Sequence, residues 1–320
     1  MSVVPATAQI VESVGERALG MGGAFVAVAS DSSATWWNPA ALADGPFFDL
    51  SIGRATEARD FGFPAGRDRV SGFALSTPVV GASFRRVALV STAPVASIGQ
   101  PAGGRENEGG QTALTAWSGS ALGGTIVQTL FDGTHVGATL KYVRGAIRTG
   151  TAAPGSSPET AIDQAGDLDD GRAESQFDLD IGALATAGAV RLGVVVRNVR
   201  AASFGDGAFR LPRQARVGVA FSAEAAGGPP LTVSVDADLR EYESGSGRRR
   251  VIAVGAEQWL AGKRLGLRAG ARFNQAGHEE RALTAGASIA IGRGSILEAH
   301  VVGGGSPAEQ GWGTGVRVSF

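Results

Sequence analysis

The side chains best placed to do chemistry are charged ones at even spacing. Asp236, Asp238 and Arg240 step by two, and Arg264, Arg268 and Arg272 step by four. In an extended strand each set falls on one face, because side chains alternate with period two. A guanidinium is a fixed fork of donors that matches a carboxylate. Two readings are open for these six residues. They either pair with one another and with neighbouring acids, or line a path on which the arginines attract the carboxylate head of an anionic, fatty-acid-like cargo. Catalysis has no comparable support. The histidines are His135, His278 and His300, no nucleophile elbow with His and Asp partners follows any serine, and cysteine is absent. The pair Glu298 and His300 shares a face and reads as a structural pair. Metal-ligand spacing of the His-x-x-x-His type is missing, so neither a metal nor another cofactor is expected.

The elements that must hold these charges are strands. In 263–273, Leu265, Leu267, Ala269, Ala271 and Phe273 oppose the arginines; in 231–239, Leu231, Val233, Val235, Ala237 and Leu239 oppose the aspartates. The same alternation in 311–320 puts Trp312, Val316 and Phe320 on one face with small residues opposite, and the chain ends on an aromatic. About fourteen such runs are predicted: 47–56, 68–77, 84–93, 112–130, 134–148, 175–187, 189–199, 213–222, 230–241, 249–259, 263–274, 280–292, 294–303 and 311–320. Glycines at 119, 123 and 124 interrupt the fourth. A soluble sandwich also alternates, but it gives no reason for short and long connections to take turns along the chain, as they nearly do here. An all-β transmembrane antiparallel barrel does: outer-membrane barrels have short periplasmic turns, longer external loops, an apolar outside and a polar inside. The expected location is the bacterial outer membrane, with Trp312 and Phe320 as the assembly signal read by the barrel-insertion machinery.

Composition agrees. No run approaches the ~18 apolar residues of a membrane helix, and 320 residues with 43% hydrophobic content give a mean hydropathy of +0.07, as alternation requires. Net charge −1 excludes the basic surface of a nucleic-acid binder. The longest predicted loop, 149–174, is rich in Gly, Pro, Ser and acids and is expected to be external; its Asp167-Leu-Asp-Asp-Gly171 lacks calcium-loop spacing and reads as solvated acid. Residues 1–8 resemble the tail of an export signal, with Ala6-Thr7-Ala8 as a small-residue cleavage site.

Residues 1–46 lack strand alternation and are expected to form a separate N-terminal element, with 47–320 as the barrel. Gly15-Glu-Arg17-Ala-Leu-Gly20-Met21-Gly22-Gly23-Ala-Phe25-Val26, then Asp31, then Ala34-Thr-Trp36-Trp37-Asn38-Pro39-Ala40, resembles the N-terminal signature of the PorV/PorQ proteins of the FadL superfamily. That resemblance implies a fourteen-stranded barrel with its N-terminal segment inside as a hatch. In such a hatch Gly20, Gly22 and Gly23 would permit close approach to the wall, Trp36 and Trp37 would plug the lumen, and Asn38-Pro39 would fix a turn. Phe25, Val26, Trp36 and Trp37 are the candidate lining for an apolar tail.

Three functions follow. The first is a transporter passing or binding a hydrophobic or amphiphilic small molecule, as the superfamily implies. The second, resembling PorV, is a secretion accessory that holds exported proteins at the cell surface. The third is a closed structural barrel. Outer-membrane lipid is a partner in each.

Overall fold

The structure is a computed structural model and describes residues 6–7, 14–59, 65–94, 112–153, 155–168, 171–244, 247–277, 280–292, 294–304 and 310–320. Fourteen strands close into one antiparallel barrel: β1 Asp49–Arg59, β2 Gly66–Ser76, β3 Val80–Pro94, β4 Thr112–Phe131, β5 Thr134–Ala152, β6 Glu174–Ala187, β7 Val190–Arg197, β8 Gln214–Ser222, β9 Leu231–Asp238, β10 Val251–Leu260, β11 Leu265–Asn274, β12 Arg281–Ile291, β13 Ser295–Gly304 and β14 Gln310–Ser319. Each strand pairs with its neighbours in chain order, and β14 closes on β1 from Gln310 opposite Ala58 to Ser319 opposite Asp49. Closure leaves no unpaired sheet edge, which lipid could not tolerate. Phe320 and Phe48 clasp the seam, exchanging backbone hydrogen bonds with ring centroids 6.0 Å apart.

The pleat sorts the side chains. Ile52, Phe73, Leu140, Ile181, Val219 and Leu283 are exposed on the outside, while Asp178, Asp180, Arg197, Arg216 and Asp236 are sequestered within. Six connections at one rim, at 77–79, 132–133, 188–189, 223–230, 261–264 and 292–294, face seven at the other. The links 275–280 and 305–309 on the second rim are shorter than 223–230 on the first, so loop length alone sorts the rims incompletely. Gly133, at φ 69°, supplies the left-handed residue that turns β4 into β5, next to a register shift between Thr129 and Phe131.

Two strand predictions need correction. β3 starts at Val80 rather than 84, because its small residues make room instead of a loop: a Cβ at Gly81 would stand 2.8 Å from Thr35 and 2.9 Å from Leu42. β4 is continuous through its glycines. A Cβ at Gly119 would stand 2.7 Å from the Trp117 ring, and one at Gly145 on β5 would stand 2.6 Å from it. Those glycines accommodate an indole; they do not break the strand.

At 20 and 19 residues, β4 and β5 extend roughly 65 Å each, far beyond the ~30 Å hydrocarbon layer. The predicted external loop 149–174 is shorter than expected, because β5 runs on to Ala152 and a helix, α3 (Pro158–Gly166), fills the rest. Ser157 caps α3 by accepting from the Thr160 N–H at 3.2 Å, with Pro158 at its first turn. Its Ala161 and Ala165 cover Leu114 and Ala152 on the outer face of β4 and β5. Asp169 and Asp170 lie outside the described residues, as do His278 and most of residues 1–8.

Candidate functional site

Residues 14–45 run through the barrel interior and are almost wholly buried. They form two short helices, α1 (Glu16–Gly20) and α2 (Ala34–Trp37), and a 3-10 turn, Pro39–Asp44. Neither helix is long enough to be stable alone, so the wall must hold the segment, and it does so by polar contacts at several levels. Asp236 on β9 accepts the N–H groups of Phe25 and Val26, both at 2.8 Å. Thr284 donates to the Gly20 carbonyl at 3.0 Å. Asn38 donates to the carbonyls of Val26 and Ala183 at 2.9 and 3.0 Å, and accepts from the Ala40 N–H at 3.2 Å, which starts the 3-10 turn. Trp37, fully buried, donates to the Val14 carbonyl at 2.8 Å.

Close backbone approach makes this possible. A Cβ at Gly270 on β11 would stand 2.3 Å from the Met21 carbonyl carbon and 2.4 Å from the Gly22 nitrogen, and Gly20 lies against Gly286. Gly22 adopts φ 69° against Ala271. Gly23, also left-handed at φ 82°, departs from the expectation: its open side faces the Trp37 ring instead of the wall.

A charge network ties the segment to five strands. Arg17 grips Glu257 on β10, with Nη2 2.6 Å from Oε2 and Nε 2.9 Å from Oε1, and reaches Asp31 at 3.2 Å. Arg268 meets the same Glu257 at 2.7 Å and Glu298 at 3.5 Å, and Arg317 lies 3.8 Å from both Asp31 and Asp49. Burial opposes the ionisation of Asp31, but Arg17, Arg317 and the Ser33 hydroxyl outweigh it and hold its carboxyl below the usual range. Glu16 is the opposite case. Burial pushes its carboxyl up to about 8, with Glu298 and Asp31 adding to the effect against its backbone hydrogen bond and Arg268.

The interior beyond the segment divides in two. Toward the long strands, Trp117, Phe204, Phe209, Leu89 and Val143 form an apolar cluster, with Trp117 stacked on Phe209 at 4.7 Å. Trp36 forms its floor, half-buried, beneath Arg85 at 4.5 Å from its ring and Arg197 at 5.4 Å. The indole N–H groups of Trp36 and Trp117 are buried without a hydrogen-bond partner among the described residues. A cavity of about 50 Å³ is lined by Val14, Glu16, Ser33, Gly53, Gly72 and Arg85. Three inward positions of the wall there are glycines, and the Glu16 carboxylate lies against Gly53 and Gly315. Gly315, Gly53 and Gly72 are register partners on β14, β1 and β2, and all three have the inward orientation. On the outside the same glycines border an apolar groove walled by Ile52, Phe73, Phe84, Ile289 and Val316.

Placement of the expected residues is mixed. Asp236 holds the segment. Asp238 pairs with Arg216 at 2.8 Å, Arg272 pairs with Glu57 at 2.8 Å, and Arg268 belongs to the network above. Arg240 and Arg264 do not join them. Both are exposed outside the strands, beyond β9 and in the turn before β11, so the row of three arginines is not formed. Even spacing placed them inside only because the strands were drawn a few residues too long. Phe25, Val26 and Trp37 are fully buried, whereas Trp36 is only partly so. Glu298 binds Ser288 at 2.9 Å and the arginines, and His300 rests on Gly313. Sequence reasoning missed Glu16, Arg17, Asp31, Glu57, Arg85 and Glu257. For Glu57, Arg85 and Glu257 a signal was present, since each sits at an inward position of its strand.

No protein-family model matches the sequence, and no curated protein does. Among solved structures, the Ralstonia pickettii toluene transporter TbuX is similar with a TM-score of 0.59 at 14% identity, over 97% of this chain and 99% of that one. The CymD monoaromatic hydrocarbon channel gives 0.66 at 12% over 98% and 99%, and a Pseudomonas aeruginosa FadL homologue gives 0.64 at 11% over 96% and 98%. At such identities what is shared is the fold, a closed antiparallel barrel.

Proposed function

We propose that this chain is an outer-membrane transport protein of FadL type that passes a hydrophobic or amphiphilic small molecule, with residues 14–45 as a hatch. The observation that carries this reading is the glycine row. The axial route is filled by the buried segment and its ion pairs, whereas the interior cavity and the outer apolar groove meet on opposite sides of Gly53 and Gly72, with Gly315 next to them in the row. A cargo enters over the aromatic cluster and passes Trp36; sideways exit at Gly53 and Gly72 requires the Glu16 side chain to swing away and the paired ladder of β14, β1 and β2 to open there. Movement is downhill and needs no cofactor. Arg268 and Arg272 are already paired with carboxylates, so the polar atoms such a cargo meets are Arg85 and the two indole N–H groups. Neighbours named for toluene and monoaromatic hydrocarbons support an apolar cargo of that size.

The test is uptake of a labelled monoaromatic hydrocarbon by cells carrying the protein. Wild type should exceed vector alone, and Gly53→Leu, which fills the cavity, should cut uptake at least fivefold while heat-modifiable folding stays normal. Uptake equal to vector control would overturn the reading. Deleting residues 14–45 should raise conductance in planar bilayers.

The resemblance of 15–43 to the PorV/PorQ signature supports a second reading, a secretion accessory, and the filled axis favours it over an open pore. Loss of a surface-exported protein on deletion of the gene, with uptake unchanged, would favour it.

A further inference from the structure

The outer face of the barrel carries a basic groove that the transport route does not use. Arg54, Arg69, Arg86 and Arg144 are exposed on β1, β2, β3 and β5 and line one groove of about 840 Å³. Three of them lie in one row of the sheet: Arg54 opposite Ser71, Ser71 opposite Arg86, Arg86 opposite Ser120, Ser120 opposite Arg144. Arg54 extends over the ring of Trp312, 5.2 Å from its centroid, toward the rim that bears the long strands. Gly171 and Ala173, from the chain that follows α3, border the groove above, and the apolar groove of Phe73, Phe84 and Ile289 adjoins it through Arg54, Ser71 and Arg86.

None of the four has a carboxylate within ion-pair distance among the described residues, in contrast to the arginines inside. The outward positions of β6 to β13 are otherwise apolar or uncharged, apart from Arg281 at the start of β12. An arginine on the lipid face is costly at the midplane and far less so at the interface. Four side by side on a lipid-facing wall, flanked by an aromatic of the interfacial kind, call for an anionic partner. Guanidinium forks match the oxygens of a phosphate as they do those of a carboxylate. On strands two apart, roughly 10 Å separates neighbours in the row, a span that suits two phosphates on one headgroup better than one.

We propose that this groove binds the phosphorylated headgroup of an acylated glycolipid of the outer leaflet, its acyl chains lying in the adjoining apolar groove. The inference rests on the membrane-embedded reading above but not on transport, so the two fail separately.

The test uses purified full-length protein in detergent and native mass spectrometry with bis-phosphorylated lipid A as the probe. Wild type should retain it at least tenfold more tightly than the same lipid stripped of phosphate. The combined change Arg54→Gln, Arg69→Gln, Arg86→Gln and Arg144→Gln should remove that preference, and Arg281→Gln should not. Should the fourfold variant misfold, Arg86→Gln with Arg144→Gln should still lower retention severalfold. Equal retention of phosphorylated and dephosphorylated lipid by wild type would overturn the proposal. So would pyrophosphate binding as tightly as the lipid, which would make this a site for the free anion, or an unchanged preference in the variants.

Discussion

Arginine lies on both faces of this wall, and two sets of four are treated in opposite ways; Arg85, held over Trp36 inside, and Arg67, paired with Asp163 outside, stand apart from them. Inside, Arg17, Arg216, Arg268 and Arg272 are buried and each is met by a carboxylate at 2.6 to 2.8 Å. Outside, Arg54, Arg69, Arg86 and Arg144 are exposed and have no protein carboxylate within ion-pair distance among the described residues. A buried charge must be neutralised by the protein itself, because nothing else reaches it. An interfacial charge can leave that task to the surroundings. The inner set therefore belongs to folding and closure, the outer set to an encounter with the membrane.

The comparison breaks most visibly at Glu257. Glu257→Gln leaves Arg17 and Arg268 facing each other without their shared anion and should cost about 3–5 kcal/mol, read as a lower unfolding temperature and higher bilayer conductance. Unchanged conductance would show that the network does not hold the segment. Gly270→Val is the steric counterpart. Its side chain would collide with Met21 and Gly22, and overpacking of that kind costs about 1–3 kcal/mol, with the segment displaced and the barrel kept.

Glu16 gives the interior a pH dependence that the exterior lacks. Its folded value of about 8 stands above the ordinary 4.5. The folded state therefore holds the extra proton, and the stabilisation is full below the ordinary value and lost as pH rises through about 8. Melting should fall from pH 5 to pH 9, and Glu16→Gln should flatten that slope; an equal slope in the variant would assign it elsewhere. Phe320→Ala, which removes the ring that clasps Phe48, should slow membrane insertion, and normal insertion would remove its role as an assembly signal. The smallest effect is expected outside. Arg86→Gln in detergent should change stability by no more than about 0.5 kcal/mol, and a loss of several kcal/mol would mean that the outer arginines have a structural task after all.

How much of this was legible depends on what each residue had to satisfy. The strands were readable because a lipid-facing position tolerates few residue types, so Leu265 to Phe273 or Val233 to Leu239 announce themselves by period alone. Their ends were less so: Arg240 and Arg264 keep the period but stand beyond β9 and before β11. The segment 14–45 was recognisable as a separate element, yet its anchors were not, since Arg17 meets a glutamate 240 residues away and nothing local marks the pair. The glycine row was invisible for the same reason. Gly53, Gly72 and Gly315 look like any of 49 glycines until register aligns them.

The sequence by itself determined that this chain alternates into strands with a greasy outside and a charged inside, because one-dimensional period and membrane solvation are enough to require it. Only the tertiary structure decided which charges meet, where glycines line up in the wall, and which arginines are left facing out. Those are consequences of strand register and of a segment threaded through the middle, and both depend on contacts between residues far apart along the chain.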